Sequence, residues 1–376
     1  MSTLGDRILD ISLPKIGEKS LFTKDLEDAL RNETVDFVVH SLKDLPTSLP
    51  EGLAIGAVFE REDPRDALVL RADLKEHSLA TLPPGSVIGT SSLRRTAQLR
   101  GSWPHLNVVD VRGNLNTRLR KLDSDSKDYA ALLLAKSGLS RMGWEHRISK
   151  ILPCSEMMYA TGQGALAVEC RADARAVLAM MEKHNHAETY CRVLAERSFL
   201  KTLGGGCSAP VGVSTTLKAF DTSFKLTIIG AVWSLDGTIK VNHKLEETFP
   251  SIRKTNKHKL DLDEDRDCKK LRISGNNLNE ASNPIGLLNR KITKQTGNLN
   301  CVDTRTDEEI DELRGENSAS KSLYCGLSEN ANIPIDVIIK CEKLGKNLAN
   351  VLISKGALDV MKVTQDLIRG SIEKTS

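Results

Sequence analysis

The sequence predicts an α/β chain followed by a separate α+β region, and three observations carry that prediction. Between Leu21 and about Arg171, short apolar runs alternate with amphipathic stretches, the pattern of strands layered with helices around a largely parallel sheet. Beyond Val211 the runs VGVSTTLK and FKLTIIGAVWS, a turn at Leu235-Asp236-Gly237-Thr238 and a further extended run read as an antiparallel sheet. Between about residues 246 and 332 the chain turns polar, rich in Lys, Asp, Asn and Glu, with too little apolar surface to offset ordering entropy. That stretch reads as a disordered or loosely attached insertion, and its mixed charge as a solvated loop rather than a binding tail.

In chain order, a helix is expected near Leu21–Arg31, then strands at Val35–Val39, Leu53–Phe59 and Ala67–Leu70. Two similar units follow. Each has a strand (Ser86–Gly89, then Asn107–Val111), a small polar turn, and a helix that opens with hydroxyl or amide side chains and presents arginines: GTSSLRRTAQLR, then VVDVRGNLNTRLRK. A helix N-terminus offers unpaired N–H groups and partial positive charge, so each unit is an anion cradle. Arg94, Arg95, Arg112 and Arg118 add planar forks suited to carboxylate or phosphate. A strand at Tyr129–Ala135 completes this region, and ligands of such sheets bind beyond the carboxyl ends of the strands. Then come a strand-like ALAVEC after Ala165, a helix near Asp173–Lys183 and a long helix from about Glu188 to Thr202 that stops at three glycines. Leu344, Leu348, Val351 and Leu352 at helical spacing and a last helix near Asp359–Ile372 close the chain.

At 376 residues and 40% hydrophobic content there is room for two or three cored domains. The net charge is only +3 and aromatics are 4%, which favours a local cationic pocket over a nucleic-acid track. No apolar run approaches a membrane span and the N-terminus lacks a signal-peptide pattern, so a soluble cytoplasmic protein is expected. The eight cysteines are scattered without a CxxC pair, as free thiols would be. His184-x-His186 has no carboxylate or Cys cage nearby, and no metal is expected.

Three motifs carry candidate chemistry. VVHSLKDLP places Ser41, Lys43 and Asp44 directly after a strand; Asp44 either caps the following turn or works as a lone carboxylate among cations, stabilising a cationic intermediate or passing a proton to a leaving group. LGGGCSAPVG puts Cys207 on a glycine-rich turn, read either as a helix cap with a small buried thiol or as an exposed, addressable nucleophile. TGQGALA matches a dinucleotide fingerprint only weakly, because a strand rather than a helix follows; it reads as a chain crossing between domains.

VVHSLKDLP, GTSSLRR, RGNLNTRLRKL, YATGQGALAVE and LGGGCSAPV, in this order, resemble the hydroxymethylbilane synthase (porphobilinogen deaminase) family, from Met1 to about Thr248 and again near Ile333. The resemblance implies two α/β domains like those of periplasmic binding proteins plus a C-terminal α+β domain. The boundaries would be 1–61 with 162–184, 62–161, and 185–376. It implies a transferase that joins four porphobilinogen molecules head to tail with release of ammonia, acting as a monomer without nucleic acid or membrane. It further implies a dipyrromethane cofactor held by a thioether to Cys207 and Asp44 as the catalytic carboxylate. Acetate and propionate groups would be bound by Ser41, Lys43, Thr90, Ser91, Ser92, Arg94, Arg95, Arg112 and Arg118. Family members begin with a strand and helix carrying a Gly-Thr-Arg-x-Ser-x-Leu-Ala motif that is not found here; Met1–Lys19 resembles their mobile segment after the second strand. The expectation is therefore a first domain lacking a central strand and a substrate arginine, with reduced stability and activity. The alternative is an inactive carboxylate-binding relative that keeps the cradles.

Overall fold

The computed structural model describes residues 23–204, 209–251 and 323–373. Three sheets organise them. The chain enters on helix α1 (Lys24–Arg31) and strand β1 (Phe37–Ser41), passes through a 3₁₀ turn at Leu42–Asp44, and reaches β2 (Leu53–Val58). Every residue of β2 is buried, as its unbroken apolar run LAIGAV requires of a strand covered on both faces. After residues 59–65 the chain lays down a second sheet: β3 (Asp66–Leu70), β4 (Val87–Gly89), α2 (Leu93–Ser102), β5 (Asn107–Val109), α3 (Leu115–Leu122), β6 (Ala131–Ala135), α4 (Lys136–Arg141) and β7 (Lys150–Ile151). Its order is β5-β4-β6-β3-β7. It then returns to the first sheet as β8 (Leu166–Arg171), which lies between β1 and β2.

Both sheets are mixed rather than largely parallel. Within the second sheet β4 pairs β5 and β6 in parallel, but β3 pairs β6 and β7 antiparallel. Within the first, β8 runs antiparallel to both β1 and β2. The cause lies in the connections: a strand entered from the other sheet arrives at the opposite end from one reached through a crossover helix. Sequence periodicity reports burial, not direction, so the reversal left no trace in the apolar pattern.

Helices α5 (Arg175–Glu182) and α6 (Ala187–Thr202) lead to the third sheet, β9 (Val211–Ala219), β10 (Ser223–Trp233) and β11 (Lys240–Pro250), antiparallel throughout with β10 central. His186 caps α6, its ring nitrogen accepting from the Thr189 amide, a structural use of the His-x-His segment. The polar stretch is shorter than the composition suggests, at both ends. Residues 246–250 complete β11, and a hairpin of β12 (Leu323–Tyr324) and β13 (Leu327–Ser328) seats Leu327 beside Ile55 of β2, joining the first sheet. Strands of two residues give no periodicity to read. Residues 252–322, the bulk of that stretch, lie outside the described residues.

Helices α7 (Ile335–Ser354) and α8 (Ala357–Glu373) finish the chain. The backbones of α6 and α7 nearly touch: a Cβ on Gly345 would lie 2.0 Å from the Ala195 carbonyl oxygen. Tyr190, Phe199, Leu344, Leu348 and Leu352 pack there into a core shared with Leu42, Ile55 and Val213. Gly345→Val is expected to force the helices apart, costing on the order of 2 kcal/mol, read as a lower urea midpoint with unchanged slope.

Candidate functional site

The 3₁₀ turn after β1 carries Lys43 and Asp44 to the end of the first sheet, where they meet α2 of the second. One cleft of about 170 Å³ is lined by Lys43, Asp44, Ser92, Arg94, Arg95 and Gln163, together with Leu200, Ala209 and Val211 from the edge of the third sheet. Residues singled out from separate motifs therefore share one wall. Leu200 and Ala209 flank the glycine-rich turn; Cys207 itself lies outside the described residues. A larger open hollow of about 670 Å³ at Asn116, Arg120, Trp144 and Arg147 shares no residue with this cleft.

Asp44 is exposed, and its carboxylate has no hydrogen-bond donor among the described residues, so the turn-capping role is not what the structure displays. Lys43 is half-buried; desolvation draws its ammonium below the usual lysine range, with Arg95 and Arg94 adding to the shift and Asp44 and Asp66 opposing it.

Arg94 and Arg95 are 4% and 6% exposed, and neither is the open fork that the sequence suggested. Asp66, the first residue of β3, is fully buried and grips both: Arg94 Nη1 donates to its Oδ2 (2.8 Å) and Arg95 Nη2 to its Oδ1 (2.7 Å). The Gln163 amide donates to the same Oδ1 at 2.8 Å. Burial alone would raise the Asp66 pKa, but the two guanidiniums outweigh it and hold the carboxyl far below its usual range. Arg94 also donates to the Met158 carbonyl and Arg95 to that of Leu133. Both Nε atoms remain buried without a partner among the described residues. An acid opening an apolar strand, DALVL, was the one sequence signal for Asp66, and nothing local named its partners.

The second cradle is partly filled by its own chain. Asn114 caps α3 by accepting from the Thr117 amide (2.9 Å), and Arg118 Nε donates to Gly113 O (2.7 Å). Arg118 is pulled down to about 10, first by desolvation and then by the charges of Arg95 and Arg112, so these three cations share one field. Ser41 accepts from Arg141 at 3.4 Å, Ser91 donates to Val111 O at 2.5 Å, and Thr90 accepts from the Ser92 amide at 3.3 Å. Those three hydroxyls, with Arg112 and Arg118, do not line the cleft that holds Asp44.

The TGQG segment forms a tight seam behind the site. Gly162 and Gly164 have φ of +72° and +87°, and a Cβ on either would press on Leu42 (3.0 Å) or the Glu62 carbonyl (2.6 Å). Beneath them lies a buried ion pair that sequence reasoning missed. Arg61 gives both Nη atoms to Glu196 (2.6 and 2.9 Å) and its Nε to Gln163 O, while Glu196 also accepts from Thr215 Oγ1 and the Gly162 amide. Arg197, equally buried, donates to the carbonyls of Leu45, Pro46 and Cys325, bracing the backbone that follows Asp44. An Ala-Glu-Arg-Ser run inside a helix apolar on nearly every side was the available hint, since buried charges must be paired.

The third sheet also touches the cradle helix. A Cβ on Gly237, in the β10–β11 turn, would lie 2.3 Å from the Ala97 carbonyl of α2, and Arg100 donates to Leu235 O. Among the described residues the cysteines at 154, 170, 191, 325 and 341 are free thiols, and no helix is long and apolar enough to cross a membrane.

Comparison with known proteins agrees with this geometry. The porphobilinogen deaminase domain that binds the dipyrromethane cofactor matches residues 1–179, and the C-terminal domain of the same enzymes matches residues 190–258. The porphobilinogen deaminase of a Nostoc species is 54% identical over 63% of this chain and 72% of its own length; that of Synechococcus elongatus is 55% identical over the same shares. Among solved structures, a domain of the Bordetella pertussis protein BvgS aligns over 47% of this chain and 72% of that one at 13% identity and a TM-score of 0.29, too slight to carry an argument. By two domain matches in order and relatives above half identity, the chain belongs to the porphobilinogen deaminase family and carries its cofactor-binding and C-terminal domains.

Proposed function

We propose that this chain performs its family's transferase reaction, the head-to-tail condensation of four porphobilinogen molecules with loss of ammonia to give hydroxymethylbilane, with Asp44 as the catalytic carboxylate. One observation carries the assignment of residues: an exposed carboxylate, without a hydrogen-bond donor among the described residues, shares a cleft with Lys43, Arg94 and Arg95. Each porphobilinogen brings two carboxylates and one aminomethyl group, so a wall of cations with a single acid is chemically matched to it.

The wall itself fits a dipyrromethane. Two buried guanidinium Nε–H groups without partners among the described residues are costly unless an acceptor reaches them, and the carboxylates of a dipyrrole are such acceptors. Lys43, Ser92, Arg94 and Arg95 would hold those side chains, and Cys207 would supply the thioether sulfur; support for the latter is that Leu200 and Ala209, on either side of its turn, line the same cleft. When bound, the dipyrromethane supplies the nucleophilic pyrrole carbon from which chain growth starts.

The chain's residues do the rest. As the C–N bond of the substrate's protonated aminomethyl group breaks, both electrons leave with nitrogen as ammonia and the positive charge passes to the pyrrole. Asp44 offsets that charge, accepts a hydrogen bond from the departing nitrogen and can take up the proton released when the new bond forms. Arg112 and Arg118, cations in the same field as that wall, would orient the incoming ring through its carboxylates, which turns an encounter between two pyrroles into a positioned one. A monomer is the working unit this reading takes; a cytoplasmic setting is supported by the free thiols among the described residues.

Intact-mass spectrometry tests the assignment. Protein made in a porphobilinogen-producing host is expected to be heavier than its sequence by two linked pyrroles, and Cys207→Ser to lack that mass. A pyrrole still attached in the variant would place the anchor elsewhere. Unloaded wild-type protein that binds but does not convert porphobilinogen would favour an inactive carboxylate binder.

A further inference from the structure

Asp66 takes one hydrogen bond from each of the two cleft arginines but from different nitrogens, and the arginine atoms left over are informative. On Arg94, Nη1 serves both Asp66 and the Met158 carbonyl, while among the described residues Nε and Nη2 have no hydrogen-bond partner. Those two atoms form one edge of the guanidinium plane, the edge that accepts a carboxylate with two parallel bonds. On Arg95 the use is different: Nη2 serves Asp66, Nη1 serves the Leu133 carbonyl, and Nε alone is left. Asp66 in turn is fixed by the Gln163 amide, which also donates to the Pro64 carbonyl at 2.6 Å, so the clamp is anchored in the two segments that pass between the first and second sheets.

We propose that Asp66 is a positioning residue that assigns unequal tasks to the adjacent arginines: Arg94 presents a two-toothed carboxylate site to the ligand and Arg95 a single N–H. The inference rests on the functional reading above and goes beyond it by ranking the two arginines and naming the acid that sets the ranking. Asp66 also limits the repulsion among Lys43, Arg94 and Arg95, three cations gathered on one wall, while leaving that wall with a cationic excess for an anionic ligand. An Asn at this position can meet one arginine as an acceptor but cannot neutralise either, so both side chains are released to turn.

The experiment uses the full chain made free of pyrroles in a host that cannot make porphobilinogen, comparing wild type with Asp66→Asn, Arg94→Lys and Arg95→Lys for the porphobilinogen concentration that loads half the protein with two linked pyrroles, read by intact mass, and for melting temperature. Arg94→Lys removes a planar two-bond contact and is expected to raise that concentration at least 30-fold; Arg95→Lys removes one bond and is expected to raise it about 5-fold. Asp66→Asn is expected to raise it at least 10-fold, and in the Asp66→Asn background the difference between the two lysine variants is expected to shrink to less than 2-fold. Equal effects of the two lysine variants in the wild-type background, or a preserved difference without Asp66, would overturn the proposal. Should Asp66→Asn fail to fold, Gln163→Leu, which removes the amide that steadies Asp66 against the Pro64 carbonyl, is expected to raise the half-loading concentration about 3-fold, and an unchanged value there overturns it equally. Wild-type protein that never takes up pyrroles would instead strike the functional reading, whereas normal loading with unranked arginines strikes this inference alone.

Discussion

Asp44→Asn is expected to lower kcat by 10²-fold to 10⁴-fold, roughly the range that a positioned acid–base group contributes, while the melting temperature moves by less than about 2 °C. The two halves of this expectation have separate causes. Asp44 is exposed and accepts no hydrogen bond among the described residues, so removing its charge leaves no buried group unsatisfied and the stability cost is that of a surface substitution. The kinetic cost is large because, of the described residues lining the cleft, Asp44 is the only acid; Lys43, Arg94 and Arg95 would then face a developing cation with nothing to offset it. The variant is also expected to retain its bound pyrroles, since the cationic wall is untouched. Near-normal turnover by a folded Asp44→Asn protein would remove this residue from the chemistry.

Glu196→Gln is expected to be the most damaging single change to stability, about 3 to 5 kcal/mol, because it strands a fully buried guanidinium. The Arg61 side chain is 1% exposed, and its two-bond contact with Glu196 is joined by bonds that Glu196 accepts from Thr215 and Gly162. The pH dependence comes from the same pair. Burial would raise the Glu196 pKa, but Arg61, Thr215 and the Gly162 amide reverse the shift and hold it below the usual carboxylate range, as Arg94 and Arg95 do for Asp66. A carboxyl depressed in the folded state adds stability above its unfolded pKa of about 4, and that stability drains away as pH falls through the lower folded value. The wild-type melting temperature is therefore expected to drop steeply below about pH 4, and Glu196→Gln to drop less steeply from a lower start. Parallel curves for the two proteins would show that Glu196 is not held low.

Much of this fold was legible because its signals are local. The two strand–turn–arginine units, the buried strands LAIGAV and ALLLA, the Asp236-Gly237 hairpin and the long helix ending at Thr202 each announce themselves within a dozen residues. The membership of Lys43, Asp44, Ser92, Arg94 and Arg95 in one cleft arose from topology, since strand ends of such sheets face a common crevice. Pairing across the chain was not legible. Asp66 and Arg94 are 28 residues apart, Arg61 and Glu196 are 135 apart, and a carboxylate in an apolar run names no partner. The anion cradles are less open than the sequence implies for the same reason: Asn114 and Gly113, from the chain itself, already occupy part of the second one.

Arg197 ties together positions that are remote in the polypeptide. One guanidinium holds the carbonyls of residues 45 and 46, just past the acid, and that of residue 325, in the hairpin beyond the long polar stretch. Sequence drift near that hairpin is thus not silent at the reacting end. A bulkier residue at Gly326, whose Cβ would meet Arg197 Nη2 at 3.2 Å, would press on the very side chain that braces the loop bearing Asp44.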